Sequence, residues 1–157
     1  MKSIRKATVA DASQILPLWI GLIEFHKGLS VVFRPVSNYK EIIVNDIIRL
    51  INTPGTTLFV LENNSTIVGY SMIVVSTRPA IFEKTKKAYI GDTFIDEKQR
   101  GQGAGSFLIK EILKWLKEEK VDFLDLQVTI SNESGKKFWE SMGFKTLNHY
   151  MVKDLGE

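Results

Sequence analysis

The stretch Gln99–Ser106, QRGQGAGS, sets three of the chain's eleven glycines at alternate positions, Gly101, Gly103 and Gly105. β-type sequence, KAYIGDTFI at 87–95, precedes it. From Ser106 onward, Leu108, Ile109, Ile112, Leu113 and Leu116 recur at helical spacing, with lysines and glutamates between them. The junction is therefore strand, glycine turn, helix. Each glycine costs conformational entropy on folding, so the cluster implies unusual dihedrals or a ligand lying against bare backbone.

Three anion-binding readings compete for such a turn. A P-loop requires G-x-x-x-x-G-K-[ST], with a lysine on the phosphate. Here Ser106 follows Gly105 directly and that lysine is missing. A dinucleotide fingerprint requires G-x-G-x-x-G and an acid about 20 residues on. Ser106 stands where its third glycine belongs, and Asp125 sits in mid-strand. The third reading is a pyrophosphate held by successive backbone N–H groups at a helix start, aided by the helix dipole and by Arg100.

Working outward, the period of the apolar residues changes twice. SIRKA predicts a short first strand. Asp11 or Thr8 is placed to cap a helix carrying Ile15, Trp19, Leu22, His26 and Leu29. The stretch 28–38, GLSVVFRPVSN, breaks that pattern, and YKEIIVNDIIRLIN resumes it as a second helix stopped by TPG. TTLFVLE and TIVGYSMIVVS around NNS read as a hairpin. Beyond the glycine junction come a strand DFLDLQV, a short helix ESGKKFWESM ended by Gly143, and KTLNHYMVKD as a terminal strand or pair. The expected fold is a mixed α/β domain spanning 1–157, ordered β-αα-βββ-α-β-α-β(β).

Composition limits the function classes. Net charge is only +3, which gives no ground for a nucleic-acid or membrane partner. There is no cysteine, so a disulfide framework, a thiolate nucleophile and a cysteine zinc site are excluded. No metal is expected. The start, MKSIRKATVADAS, has no signal-peptide core, and the longest mostly apolar run, IVGYSMIVV, is too short to span a bilayer. A soluble cytoplasmic protein is expected.

The glycine stretch resembles the acetyl-coenzyme A signature of the GNAT N-acetyltransferase superfamily, Arg/Gln-x-x-Gly-x-Gly/Ala, at Arg100-Gly-Gln-Gly103-Ala-Gly105. A second family block, Asn-x-x-Ala-x-x-Phe-Tyr-x-x-x-Gly-Phe, resembles NESGKKFWESMGF at Asn132–Phe144, with Gly135 and Trp139 as departures. The element order agrees as well, so the resemblance covers essentially the whole chain.

The resemblance implies an acyl-coenzyme A N-acyltransferase fold whose central sheet splays between strands four and five. It implies that Phe94 and Ile95 pair their backbone with the pantetheine arm as an added strand. Arg100, Gly101, Gln102, Gly103, Ala104, Gly105 and Ser106 would bind the pyrophosphate. Asn132 would bond a pantetheine amide, Phe138 would line the thioester end, and Lys136 or Lys137 would reach the 3′-phosphate. Acetyl-coenzyme A is the implied co-substrate. The implied reaction is acetyl transfer to a primary amine by direct attack in a ternary complex, through a tetrahedral intermediate with a backbone N–H near Ile95 on the oxyanion.

Two family groups are absent. Trp139 stands where the family often has an acidic tyrosine, and indole does not usefully ionise. The common Glu-Asp pair on the fourth strand is Gly91-Asp92. Asp92 is the candidate base, because a free amine is mostly ammonium at neutral pH; a strand-end carboxylate that only makes hydrogen bonds is the competing reading. Tyr150 is the candidate acid, with Tyr89 beside it. Glu24, His26, Phe33 and Arg34, from the first helix and its following loop, are candidates for the acceptor pocket. His26 equally fits a buried core histidine, since it continues the apolar stripe. Lys84, Lys86 and Lys87 would steer anions or merely be solvated. The acceptor would be a small-molecule or peptide amine, and the resemblance makes a homodimer plausible. Two other readings stay open: a coenzyme A-binding module with weakened turnover, and a dinucleotide-dependent enzyme.

Overall fold

The computed structural model describes residues 1–29 and 31–156. Ser30, inside the predicted break between the first two helices, lies outside the described residues. The strands are β1 (Lys2–Lys6), β2 (Thr56–Asn63), β3 (Thr66–Thr77), β4 (Lys86–Ile95) and β5 (Phe123–Leu126). The helices are α1 (Ala12–His26), α2 (Tyr39–Ile51), α3 (Ala104–Glu118) and α4 (Glu133–Ser141). The strands form one sheet in the order β1-β2-β3-β4-β5. The first four are antiparallel, and β5 joins β4 in parallel.

Each face of the sheet buries one pair of helices. On one face, Leu58, Val60, Ile67 and Tyr70 pack against Ala12, Ile15, Leu18 and Leu22 of α1 and Ile47 of α2. On the other, Phe59, Leu61, Val68, Ile73, Ala88 and Ile90 pack against Leu108, Ile109, Ile112 and Leu116 of α3, with Phe138 and Trp139 of α4 alongside. The alternation along β2 sends Leu58 and Val60 one way and Phe59 and Leu61 the other, as a strand's two-residue period requires. Trp19 flanks the first core partly buried, and α1 ends at His26, short of Leu29.

The β2–β3 hairpin turns through Asn64 (φ 50°) and Ser65 (φ 64°). Positive φ at both central residues matches the twist of the flanking strands. Asp11 stands at the N-cap of α1 without a side-chain bond to the helix, and Thr8 and Asp11 instead close a capping box over the 3-10 turn before it. Asp11 accepts the Thr8 N–H at 2.7 Å and the Thr8 hydroxyl at 3.0 Å, and Arg5 grips the same carboxylate at 2.7 and 2.8 Å.

One expectation fails. The terminal strand or pair predicted for KTLNHYMVKD is not formed, and residues 144–156 carry no strand. Leu147, Tyr150, Met151 and Leu155 are exposed there. β-type composition needs a ladder to pair with, and the sheet ends on a β5 of only four residues. Gly143 (φ 90°) closes α4 as predicted and turns the chain away.

Candidate active site

The site is built on an irregularity of β4. Its register against β3 pairs Met72 with Asp92 but Ile73 with Ile90, so Gly91 is an extra residue. This is a β-bulge, which bends the strand and re-aims its side chains. The Met72 methyl fills the space beside Gly91, 2.2 Å from where a Cβ would stand. The buried Ser71 hydroxyl braces the bulge, donating to Asp92 O at 3.1 Å and meeting Thr93 Oγ1 at 2.8 Å.

The bulge coincides with the parting of two strands. β4 and β5 pair from Lys87–Phe123 to Ile90–Leu126 and no further. Residues 91–95 of β4 therefore run on with one edge unpaired. Asp96 N–H donates to Val68 O on the β3 side at 2.9 Å. Backbone groups alternate along an antiparallel strand, so Thr93 and Ile95 turn theirs to the open edge. Arg100 confirms the direction, donating from Nε to Ile95 O at 2.9 Å.

The glycine turn follows at once. Gly101 (φ 71°) and Gly103 (φ 74°) hold left-handed conformations with open space where a Cβ would be. Gly103 is the N-cap of α3 and supplies no side-chain cap. The first bond inside α3 runs from Phe107 N–H to Gly103 O, 2.9 Å, so the N–H groups of Ala104, Gly105 and Ser106 have no intrahelical acceptor. Gly105 serves a different end. A Cβ there would lie 3.3 Å from the Phe138 ring and 3.7 Å from Ile95 Cγ1. It lets α4 and β4 close onto the start of α3.

Other cofactor candidates sit as follows. Asn132 caps α4, its Oδ1 accepting from Gly135 N–H at 2.9 Å. The amide lies so close over Gly135 that a Cβ there would be 2.5 Å from Asn132 Nδ2, which accounts for that departure from the family block. Phe138 packs edge-on to Trp139, and Trp139 edge-on to Phe144. Trp139 is thus tied into the α3-side core. Lys136 and Lys137 lie on the exposed side of α4 at or near its surface. Arg100 is turned back across the end of β4, its guanidinium 4.8 Å from the Phe94 ring centre, and does not reach over the start of α3.

Asp92 lies on the α1–α2 face, and burial raises its carboxyl from the usual 3.8 to about 6. Because the bulge absorbs one residue, Tyr89 shares that face. Burial first, then Asp92, Asp125 and Tyr150, push the Tyr89 hydroxyl upward, so it keeps its proton at neutral pH. Tyr150 is 71% exposed in the terminal segment. Among the approach-side lysines, Lys87 pairs with Asp125 at 2.8 Å, and Lys86 donates to Glu119 O. Both fasten β4 to its neighbours.

The acceptor candidates gather at the α1–α2 connection. Glu24 accepts from the Tyr39 hydroxyl, which holds its carboxyl below the usual range, and pairs with Lys27 at 3.6 Å. His26 packs edge-on to Phe25 and tilted against Phe33, and burial pushes its imidazole below its usual range. Arg34 is exposed beside them. A shallow hollow of about 230 Å³ opens next to this group, lined by Trp19, Ile23, Val36, Tyr39, Ile43 and Asp46 among others. Trp19 also packs on Tyr70, 6.1 Å between ring centres. Tyr70 escaped the sequence reading altogether, because only the β3–β4 register puts it diagonal to Asp92.

Comparison with known proteins gives a consistent result. The profile of the acetyltransferase (GNAT) family matches residues 22–144. Among solved structures, a tetramutant of the BH1408 protein from Bacillus halodurans superposes with a TM-score of 0.86 at 29% identity, covering 98% of this chain and 99% of that one. A ribosomal-protein-alanine N-acetyltransferase from Brucella melitensis biovar Abortus reaches 0.75 at 17% identity, covering 99% and 100%. An aminoglycoside acetyltransferase, meta-AAC0020, from an uncultured soil metagenomic sample in complex with trehalose reaches 0.72 at 22%, covering 97% and 95%. The last two show likeness of fold alone. No curated protein matches the chain.

Proposed function

Because the chain belongs to the acetyltransferase (GNAT) family, we propose that it is an acetyl-coenzyme A-dependent N-acetyltransferase acting on a primary amine in a ternary complex. The observation that carries this reading is the unpaired β4 edge at 91–95, opening beside a glycine turn and the bare start of α3. The fit is chemical. Thr93 offers its N–H and C=O to an amide-bearing arm, as a sheet edge does to an added strand, while Ile95 O already accepts from Arg100 Nε. Gly103, Ala104, Gly105 and Ser106 offer N–H groups to a diphosphate at the positive end of a helix dipole. Phe138 walls the space between them. When bound, acetyl-coenzyme A supplies an acetyl group already activated as a thioester.

The chain's own residues then handle protons and charge. Asp92, ionised above about pH 6, takes a proton from the acceptor's ammonium and leaves a free amine. Ile95 N–H, on the open edge, stabilises negative charge on the acetyl oxygen. Tyr89, half-buried and protonated, is better placed than the exposed Tyr150 to offer a proton to the departing sulfur. Over the cycle the acceptor's ammonium loses two protons: one is released through Asp92, and the other, lost as the amide forms, replaces the proton Tyr89 gives to the departing sulfur. The hollow beside Trp19 is the place for the acceptor's body.

A thiol-release assay over a panel of amines, run with wild type and Asp92→Asn, tests this. Release with at least one amine, lost or strongly reduced in the variant, supports the reading. Binding of acetyl-coenzyme A without release on any amine contradicts it and leaves a coenzyme A-binding module.

A further inference from the structure

Tyr70 is fully buried, at 0% exposure. Among the described residues nothing accepts from or donates to its hydroxyl. An orphaned buried hydroxyl is destabilising, and a phenylalanine would fill the same volume without that cost. Its place in the sheet suggests why it is kept. Tyr70 faces Phe94 across the β3–β4 ladder and lies diagonal to Asp92 on the same face, within reach of a tyrosine side chain. Trp19 covers its ring from the α1 side. The sheet order puts β3 and β5 on opposite sides of β4. Tyr70 thus approaches Asp92 from the side away from the open edge.

We propose that Tyr70 is a positioning residue for Asp92: its hydroxyl donates, through one water, to the carboxylate oxygen facing β3 and keeps the other oxygen turned to the β4–β5 opening. Tyr70 touches no reacting atom in this arrangement; it acts through the base. The inference rests on the reading of Asp92 as that base. Charged and titratable groups around Asp92 are few. Tyr70 on β3 and Tyr89 on β4 both feel its charge. Asp125 of β5, next to Tyr89, is paired with Lys87. On α1, Glu24 is engaged by Tyr39 and Lys27, and His26 by Phe25 and Phe33. On α2, Asp46 is paired with Arg49. Among the described residues no protein group donates a hydrogen bond to the Asp92 carboxylate.

The test is a carbon-13 titration of aspartate-labelled wild type and Tyr70→Phe, with Asp92→Asn identifying the resonance. Loss of a donor to the carboxylate moves the Asp92 midpoint up by about half a unit to one unit, the size expected for one hydrogen bond. The same variant should melt about 2–4 °C lower, because the bridged bond to the carboxylate is lost. An unchanged midpoint overturns the proposal, whatever the melting temperature does. Neither measurement needs a substrate, so this outcome stays separate from a failure of thiol release. Where an accepted amine is found, the acid limb of kcat/KM moves up with the midpoint.

Discussion

Ile90 of β4 and Leu126 of β5 occupy the last paired position of the parallel ladder. One residue further on, the Gly91 bulge bends β4, and the strand continues alone to Ile95 and the glycine turn. The open edge of β4 and the face that Asp92 takes are thus both consequences of one break in pairing.

The start of α3 is the most sensitive place to disturb. Gly105→Leu must push against the Phe138 ring and Ile95. It should weaken acetyl-coenzyme A binding at least tenfold by calorimetry, which corresponds to about 1.4 kcal/mol. Gly103→Ala meets no neighbour but must hold φ near 74°, at a cost of roughly 1 kcal/mol or more in stability.

Asp92 should weaken the fold where it works. Its carboxyl titrates near 6 in the folded chain against 3.8 when solvated, so the native state binds the extra proton between those values. Stability then falls as pH rises from about 4 to 6, and the penalty is complete above. Asp92→Asn removes it. The variant should be more stable than wild type at pH 7.5, on the order of 3 kcal/mol, and nearly equal at pH 4, while losing turnover. Denaturant melts at the two pH values decide it.

Asp11 carries the opposite sign. Arg5 and Thr8 hold its carboxyl far below the ordinary carboxylate range, so it stabilises the fold above about pH 4 and that contribution is lost as pH falls further. Asp11→Asn frees one side of Arg5, which keeps Glu62 at 2.6 Å. A loss of about 2–3 kcal/mol at pH 7 is expected, shrinking toward pH 3.

Ser71→Ala removes the brace under the bulge and leaves the Asp92 carbonyl and Thr93 hydroxyl without that partner. Urea unfolding should show a loss of about 1–2 kcal/mol. With the bulge loosened, affinity for acetyl-coenzyme A should drop as well.

Much of this was legible in the chain because local patterns and global packing agree. The stripe from Leu108 to Leu116, the NNS hairpin turn and the strand–glycine–helix junction each carry their own geometry in sequence. What stayed hidden depends on register and on side-chain direction. Tyr70 and Asp92 are 22 positions apart, and nothing local places them on one face. Arg100 reads as a phosphate-facing cation, yet Ile95 O and the Phe94 ring offer it nearer partners. Trp139 reads as a substituted catalytic position, whereas its large ring is drawn into the core between Phe138 and Phe144. The terminal segment has strand composition without a strand, since composition cannot report whether an edge is within reach.

The most direct test is an amide NMR titration of the wild-type protein with acetyl-coenzyme A. The largest shifts should fall on Thr93, Ile95 and the run from Gln102 to Ser106, with the β1–β2 amides unmoved. Binding that leaves Ile95 and Gly103–Ser106 untouched would contradict the account.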